Sequence, residues 1–284
     1  MGKTLLTPPL PEVGAAAPFV DVTGDGRPDM VIREADRLYV YPHNGSTTAN
    51  PWTSRYDTGT VGWSNASKLL LADVTGDGRP DIVSVRTDTP DPSSLWVYPH
   101  NGATGTAAGW NAPYYTGLFG WNIANWLALV DVTGDGRPDM VARLDDGGLW
   151  MYPHNGQTGT AASWMDRKLA GVTWSGATGL LIGNVTGRGR PDLVVRESTG
   201  ALTVHPAGDS TGPVPAPFSA GTGWNLADVM LLANVTGSGR PDIVVRDASG
   251  NLWVYPHNGS ATANPWTTRF GAGGGWNVAT AMML

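Results

Sequence analysis

A chain of 284 residues with 41% hydrophobic and 15% charged side chains is long enough to bury a substantial core and too evenly mixed for a disordered tail. Its 39 glycines and 22 prolines call for frequent turns and short elements, and the lack of cysteine excludes disulfides, thiolate metal sites and a cysteine nucleophile. A net charge of −6 with basic residues scattered singly argues against nucleic acid as a partner, and no apolar run approaches the ~18 residues of a membrane span.

The chain opens with leucines among prolines, where a secretion signal needs an apolar stretch, so any such signal is expected to be already gone. Residues 15–22 read as the innermost strand of a first unit. The segment DVTGDGRPDMV then begins at Asp21 and returns as DVTGDGRPDIV from Asp73, DVTGDGRPDMV from Asp131, NVTGRGRPDLV from Asn184 and NVTGSGRPDIV from Asn234. Each copy is followed by an aromatic segment (RLYVYPHNG, SLWVYPHNG, GLWMYPHNG, ALTVHPAGD, NLWVYPHNG) and then by a tryptophan turn at Trp63, Trp121, Trp174, Trp224 and Trp276.

Within one unit the short β-branched or aromatic stretches, such as LALVDV, PDMVAR, GLWMYP and a weaker one over residues 166–172, predict four strands. A lone four-stranded antiparallel sheet cannot cover both faces, but sheets set radially cover one another, and runs such as DIVVR suit strands buried on both sides. The chain therefore reads as all-β: one domain forming a five-bladed β-propeller, with repeats over about 15–63, 64–121, 122–174, 175–224 and 225–276. A β-sandwich or β-solenoid is the runner-up. Closure is a puzzle, because Leu284 falls at the repeat position of Phe19 and the two ends duplicate a strand. They share the seam between blades five and one, or the extra strand docks elsewhere, for instance on a second chain.

The loop Asp21, Thr23, Asp25, Arg27, Asp29 sets oxygen-bearing groups at positions 1, 3, 5 and 9, with the Arg27 carbonyl at 7 and glycine at 4 and 6. That order is close to an EF-hand loop without its final glutamate, and suits a hard cation that needs several oxygens. Asp73, Thr75, Asp77, Arg79, Asp81 and Asp131, Thr133, Asp135, Arg137, Asp139 repeat it. The last two copies lose it at Asn184 and Asn234, with the Arg188 guanidinium able to take a cation's place. Structural Ca²⁺ in three loops is expected; the competing reading is an ordinary Asx-type turn.

These motifs, D-x-T-G-D-G-R-P-D, L-W-x-Y-P-x-N-G and G-W-N, resemble the FG-GAP/VCBS repeats of bacterial and fungal propeller proteins, and among them the propeller lectins of the Psathyrella velutina and Photorhabdus type. The resemblance implies a secreted, calcium-stabilised propeller binding glycans at several equivalent places between blades. This chain departs in having five blades and in carrying histidine where those lectins usually have glycine, so its ligand can differ.

The 13 tryptophans fall into three recurrent sets. Those of the crossover turns, and Trp96, Trp150 and Trp253 with Tyr39 as counterpart, are expected to pack. Trp52, Trp110, Trp164 and Trp266, with Phe218 in blade four, follow a polar variable loop; binding and packing weigh equally there. Beside them stand His43, Asn44, His100, Asn101, His154, Asn155, His257 and Asn258. The histidines, with His205 as a fifth member, either cap turns or contact a ligand hydroxyl. One arginine per blade, Arg33, Arg86, Arg143, Arg196 and Arg246, is expected to bond neighbouring turns. No singular catalytic constellation stands out, so the expected function is a multivalent lectin and not an enzyme. The alternatives are a protein-interaction scaffold or an accessory propeller of a secreted enzyme.

Overall fold

The computed structural model describes residues 20–107, 109–159, 163–171, 174–208 and 214–284. Twenty strands among them form five sheets of four, each antiparallel throughout. Blade two holds β4 (Ala66–Ala72), β5 (Asp81–Arg86), β6 (Ser94–Tyr98) and β7 (Tyr114–Tyr115) in that order. Blade three follows with β8 (Ala124–Val130), β9 (Asp139–Leu144), β10 (Leu149–Tyr152) and β11 (Lys168–Gly171). Blade four has β12 (Ala177–Gly183), β13 (Asp192–Glu197), β14 (Leu202–His205) and β15 (Phe218–Ser219), and blade five β16 (Ala227–Ala233), β17 (Asp242–Asp247), β18 (Leu252–Tyr255) and β19 (Phe270–Gly271).

Blade one corrects the expectation for its innermost strand. That place is taken by the C-terminal strand β20 (Ala281–Met283), antiparallel to β1 (Met30–Glu34), with β2 (Arg37–Tyr41) and β3 (Tyr56–Val61) outside it. Val31 faces Met283 and Arg33 faces Ala281. Val20 then takes the last position of the strand: its carbonyl accepts the Asp29 N–H, as Ala72 pairs with Asp81 in blade two. Residues 15–19 lie outside the described residues.

Each blade is apolar on both faces, and five buried clusters bridge successive blades. Val31 and Val40 meet Ile82; Val83 and Val97 meet Met140; Val141 and Met151 meet Leu193; Val194 and Val204 meet Ile243; Val244 and Val254 meet Met30 and Met282, which closes the ring. Burial on both faces is why the second strands lack the alternation of a half-exposed sheet.

The crossovers are pinned by the tryptophan turns. Gly62, Gly120, Gly223 and Gly275 take a left-handed conformation before their tryptophan, which glycine adopts without penalty. All five turn indoles are buried, and each packs on the third strand of the next blade: Trp63 on Tyr98, Trp121 on Tyr152, Trp174 on His205, Trp224 on Tyr255 and Trp276 on Tyr41, with ring centroids 4.6–4.9 Å apart. His205 thus fills the tyrosine position and is not a fifth member of the histidine set; Ala207 stands where the others have histidine.

Four of the five arginines act as clamps on these turns. Nη1 of Arg33, Arg143, Arg196 and Arg246 donates to the carbonyls of the crossover tryptophan and of the alanine three residues later. Arg86 departs from the pattern. A longer β5–β6 loop brings Asp88 beside it, and the guanidinium bonds Asp88 and the Tyr98 hydroxyl instead.

Candidate functional site

The acidic loops close on their own backbone. Asp21 Oδ1 accepts the N–H groups of Gly24 and Asp25, and its Oδ2 that of Gly26, at 2.6–3.0 Å. Asp73 and Asp131 do the same in their loops. Asp25 caps the Arg27 N–H, and Asp77 and Asp135 cap Arg79 and Arg137, leaving these central carboxylates exposed.

The carboxylate at position 9 is buried in all five blades. Asp29 accepts from the Thr23 N–H with one oxygen and from the His43 N–H with the other, stapling its loop to the third strand. Asp81, Asp139, Asp192 and Asp242 repeat the staple to His100, His154, Ala207 and His257. Burial outweighs these bonds and pushes Asp29, Asp81 and Asp139 up to about 6, and raises Asp192 and Asp242 as well. Blades four and five keep the staple without the rest of the triad, so position 9 serves the fold by itself. The donor chemistry of the triads suits a hard cation, but among the described residues no three Asp, Glu or His side chains converge as an ion cage. The first carboxylate is spent on loop amides and the last is turned inward.

The HNG segment forms a second closed unit. His43, His100, His154 and His257 are buried, and each Nδ1 accepts the N–H of the glycine two residues on. The proton of the neutral ring therefore sits on Nε2. Burial lowers all four, His257 to about 4. Asn44, Asn101, Asn155 and Asn258 cap the N–H two residues later, and the amides of Asn44 and Asn258 also donate across their loops to the carbonyls of Asn50 and Asn264.

Trp52, Trp110, Trp164 and Trp266 are buried, edge-on to these imidazoles. Their Nε1 groups donate to the carbonyls of Pro28, Pro80, Pro138 and Pro241. As placed, this set packs and offers no free ring face. Phe218 is not its counterpart in blade four: it pairs with Val204 as Tyr114 does with Val97, so it belongs with Tyr56, Tyr114 and Phe270.

Sequence reasoning set aside the aromatics that are partly exposed. Tyr39, Trp96, Trp150 and Trp253 stand half-buried on the third strands. The Arg55, Arg167 and Arg269 guanidiniums lie 4.0–4.2 Å from the ring centroids of Tyr39, Trp150 and Trp253, and Tyr115 stacks on Trp96. Their signal was the alternation in LWVY, which puts Trp on the sheet face opposite to Leu and Val.

Residues 21–84 and 73–142 match the FG-GAP-like repeat, so the chain carries FG-GAP-like repeats on a five-bladed β-propeller. Among solved structures it is similar to a lectin of Agrocybe aegerita described by its recognition of non-reducing terminal N-acetylglucosamine, at 22% identity over 90% of this chain and 65% of that one, with a TM-score of 0.47. It is also similar to TcdB2-TccC3, at 15% identity over 82% of this chain and 13% of that one (TM-score 0.42), and to the V. cholerae biofilm matrix protein Bap1, at 21% over 89% and 39% (TM-score 0.29). The chain thus spans less than two thirds of each of these proteins. No curated protein matches it in sequence. Likenesses this distant leave the function to be argued from this chain's own residues.

Proposed function

We propose that the protein is a multivalent carbohydrate-binding module without enzymatic activity, acting outside the cell on clustered glycans. The observation that carries this reading is the fourfold repetition of a half-exposed aromatic ring backed by a guanidinium or a second ring, at Tyr39, Trp96, Trp150 and Trp253. Aromatic faces stack on the C–H surfaces of sugars, while neighbouring N–H donors orient hydroxyls. Equivalent weak sites gain avidity on a clustered ligand. The His43, Asn44 and Trp52 unit and its three repeats then act as the rigid frame behind those platforms. A glycan array followed by calorimetry on the best ligand tests this: binding that Trp253→Ala weakens supports it, and silence across all glycans overturns it.

A protein-interaction scaffold is the second reading. It is favoured by the apolar side chains left exposed two residues after the turn tryptophans, Ile123, Leu226 and Val278, of which Leu226 is 74% exposed.

We also propose Ca²⁺ in the loops at Asp21, Asp73 and Asp131. Oδ2 of Asp21, Asp73 and Asp131 accepts a single amide and keeps a lone pair, and the exposed Asp25, Asp77 and Asp135 supply a second carboxylate in each loop. A native-state ligand raises the melting temperature. A rise with Ca²⁺, reversed by chelator and diminished by Asp25→Asn, supports the site; no rise removes it.

A further inference from the structure

Three blades carry an arginine directly before the outer strand, in the same spacing from the buried tryptophan: Arg55 after Trp52, Arg167 after Trp164 and Arg269 after Trp266. All three are exposed, and each guanidinium lies over the half-exposed ring of its third strand.

Blades one and five hold this arginine in the same way. Arg55 Cζ is 4.0 Å from the Tyr39 ring centroid and 5.8 Å from that of Tyr41, and Nη1 donates to the Tyr41 hydroxyl at 3.2 Å. Arg269 Cζ is 4.0 Å from the Trp253 centroid and 5.8 Å from that of Tyr255, and Nη1 donates to the Tyr255 hydroxyl at 3.0 Å. The two differ in one partner. In blade one the Glu34 carboxylate, at the end of β1, accepts from Arg55 Nη1. The same position in blade five is Asp247, one methylene shorter, and its carboxylate is taken by Trp253 Nε1 and by Asn251. Blade three has the apolar Leu144 there. Among the described residues no carboxylate pairs with Arg167 or Arg269, and Nε and Nη2 of Arg269 have no partner.

We infer that the platforms of blades three and five take the carboxylate of an acidic sugar, in the place that Glu34 fills in blade one. The inference rests on the carbohydrate reading and adds the charge of the ligand to it. An aromatic face steadies a guanidinium while its N–H edge stays open, and a planar carboxylate accepts two such N–H groups at once. An arginine already held by a ring and a tyrosine hydroxyl loses less side-chain freedom on pairing, which is the cost that makes most exposed ion pairs weak. Blade one is closed to such a ligand, because its own glutamate occupies the arginine.

The test is calorimetric titration of the full chain with two pairs of disaccharides that differ in their carboxylates: cellobiouronic acid against cellobiose, and digalacturonic acid against α-1,4-galactobiose. At least one acid should bind about tenfold more tightly than its neutral partner at low salt, through charge-assisted bidentate bonds. It should occupy two sites, shift the ring protons of Trp150 and Trp253, and lose its advantage as salt rises. Arg269→Gln and Arg167→Gln should each remove one acid site with the melting temperature unchanged. Glu34→Ala should release Arg55 and raise the number of acid sites from two to three. Equal affinities within both pairs, a preference that survives the double glutamine variant, or no added site in Glu34→Ala overturns the inference and leaves the carbohydrate reading standing. Silence of all four disaccharides also overturns it, whereas the carbohydrate reading falls only with a glycan array that is silent throughout.

Discussion

The arginine clamp can be tested against an exception inside the same chain. Arg246 Nη1 donates to the Trp276 and Ala279 carbonyls at 2.9 and 2.7 Å, fastening the turn that leads from blade five into the strand completing blade one. Hydrogen bonds to a charged group are worth about 1.5–3 kcal/mol each, and the orphaned carbonyls are only partly buried, so water recovers some of the loss. Arg246→Ala should therefore cost about 2–3 kcal/mol; its bridge to the exposed Asp228 adds little. Arg86→Ala removes no clamp. Its partners are the exposed Asp88 and the Tyr98 hydroxyl, so the expected loss is about 1 kcal/mol or less. Urea denaturation measures both, read as midpoint shifts at constant slope. Equal losses in the two variants would refute the idea that this contact fastens one blade to the next.

The pH dependence of stability should be shallow between about 4 and 6.5, because two groups of buried side chains oppose each other. Asp29, Asp81 and Asp139, raised to about 6, bind protons in the native state that the unfolded chain releases, so their contribution is lost as pH rises through 6. The four lowered histidines do the reverse: their contribution is complete above about 6.5 and is lost as pH falls toward the native value, about 4 for His257. His257→Gln should make the melting temperature less acid-sensitive than that of the unaltered chain, and an unchanged profile counts against this balance. Trp266→Phe, which loses the bond to the Pro241 carbonyl, should lower stability by about 1–3 kcal/mol. Trp253→Ala, at a half-exposed ring, should instead reduce glycan binding with the melting temperature little changed; calorimetry and thermal scans separate the two. Deleting residues 281–284 removes the buried Met282, Met283 and Leu284, about 1.5–3 kcal/mol each, against a total stability of about 5–15 kcal/mol. Circular dichroism should show that chain largely unfolded.

The repeat made the blades legible: five equal units with strands buried on both faces have few other ways to bury them. The crossover tryptophans and four clamping arginines also stand where the sequence reading put them. In blade one residues 15–22 and the C-terminus spell the same strand, and pairing shows that both ends contribute to it, the first of the two closures that the sequence left open. His205 was grouped wrongly because V-H-P in blade four resembles Y-P-H shifted by two residues, whereas the ring contact with Trp174 shows the tyrosine position. Trp52, Trp110, Trp164 and Trp266, weighed equally between binding and packing, are buried, whereas Trp96, Trp150 and Trp253, expected to pack, are only partly so. A variable loop suggested that Trp52 and its repeats are accessible, yet the indole folds back under the loop onto Pro28, a contact set by tertiary packing. In the acidic loops the ligand-like spacing was legible, but the choice of partner was not, because a carboxylate that suits a cation suits three amides equally well.

The seam in blade one has a consequence for engineering. Leu284 and Val20 occupy the places that Leu71 and Ala72 hold as consecutive residues of blade two, so one inner strand is spliced from the two ends of the chain. Joining residue 284 directly to residue 20 would make that strand continuous, and new ends could then be opened in any exposed interblade loop. Such a circular permutant would keep every blade while moving the chain's entry point around the wheel, and it gives a way to choose where a fused partner is attached.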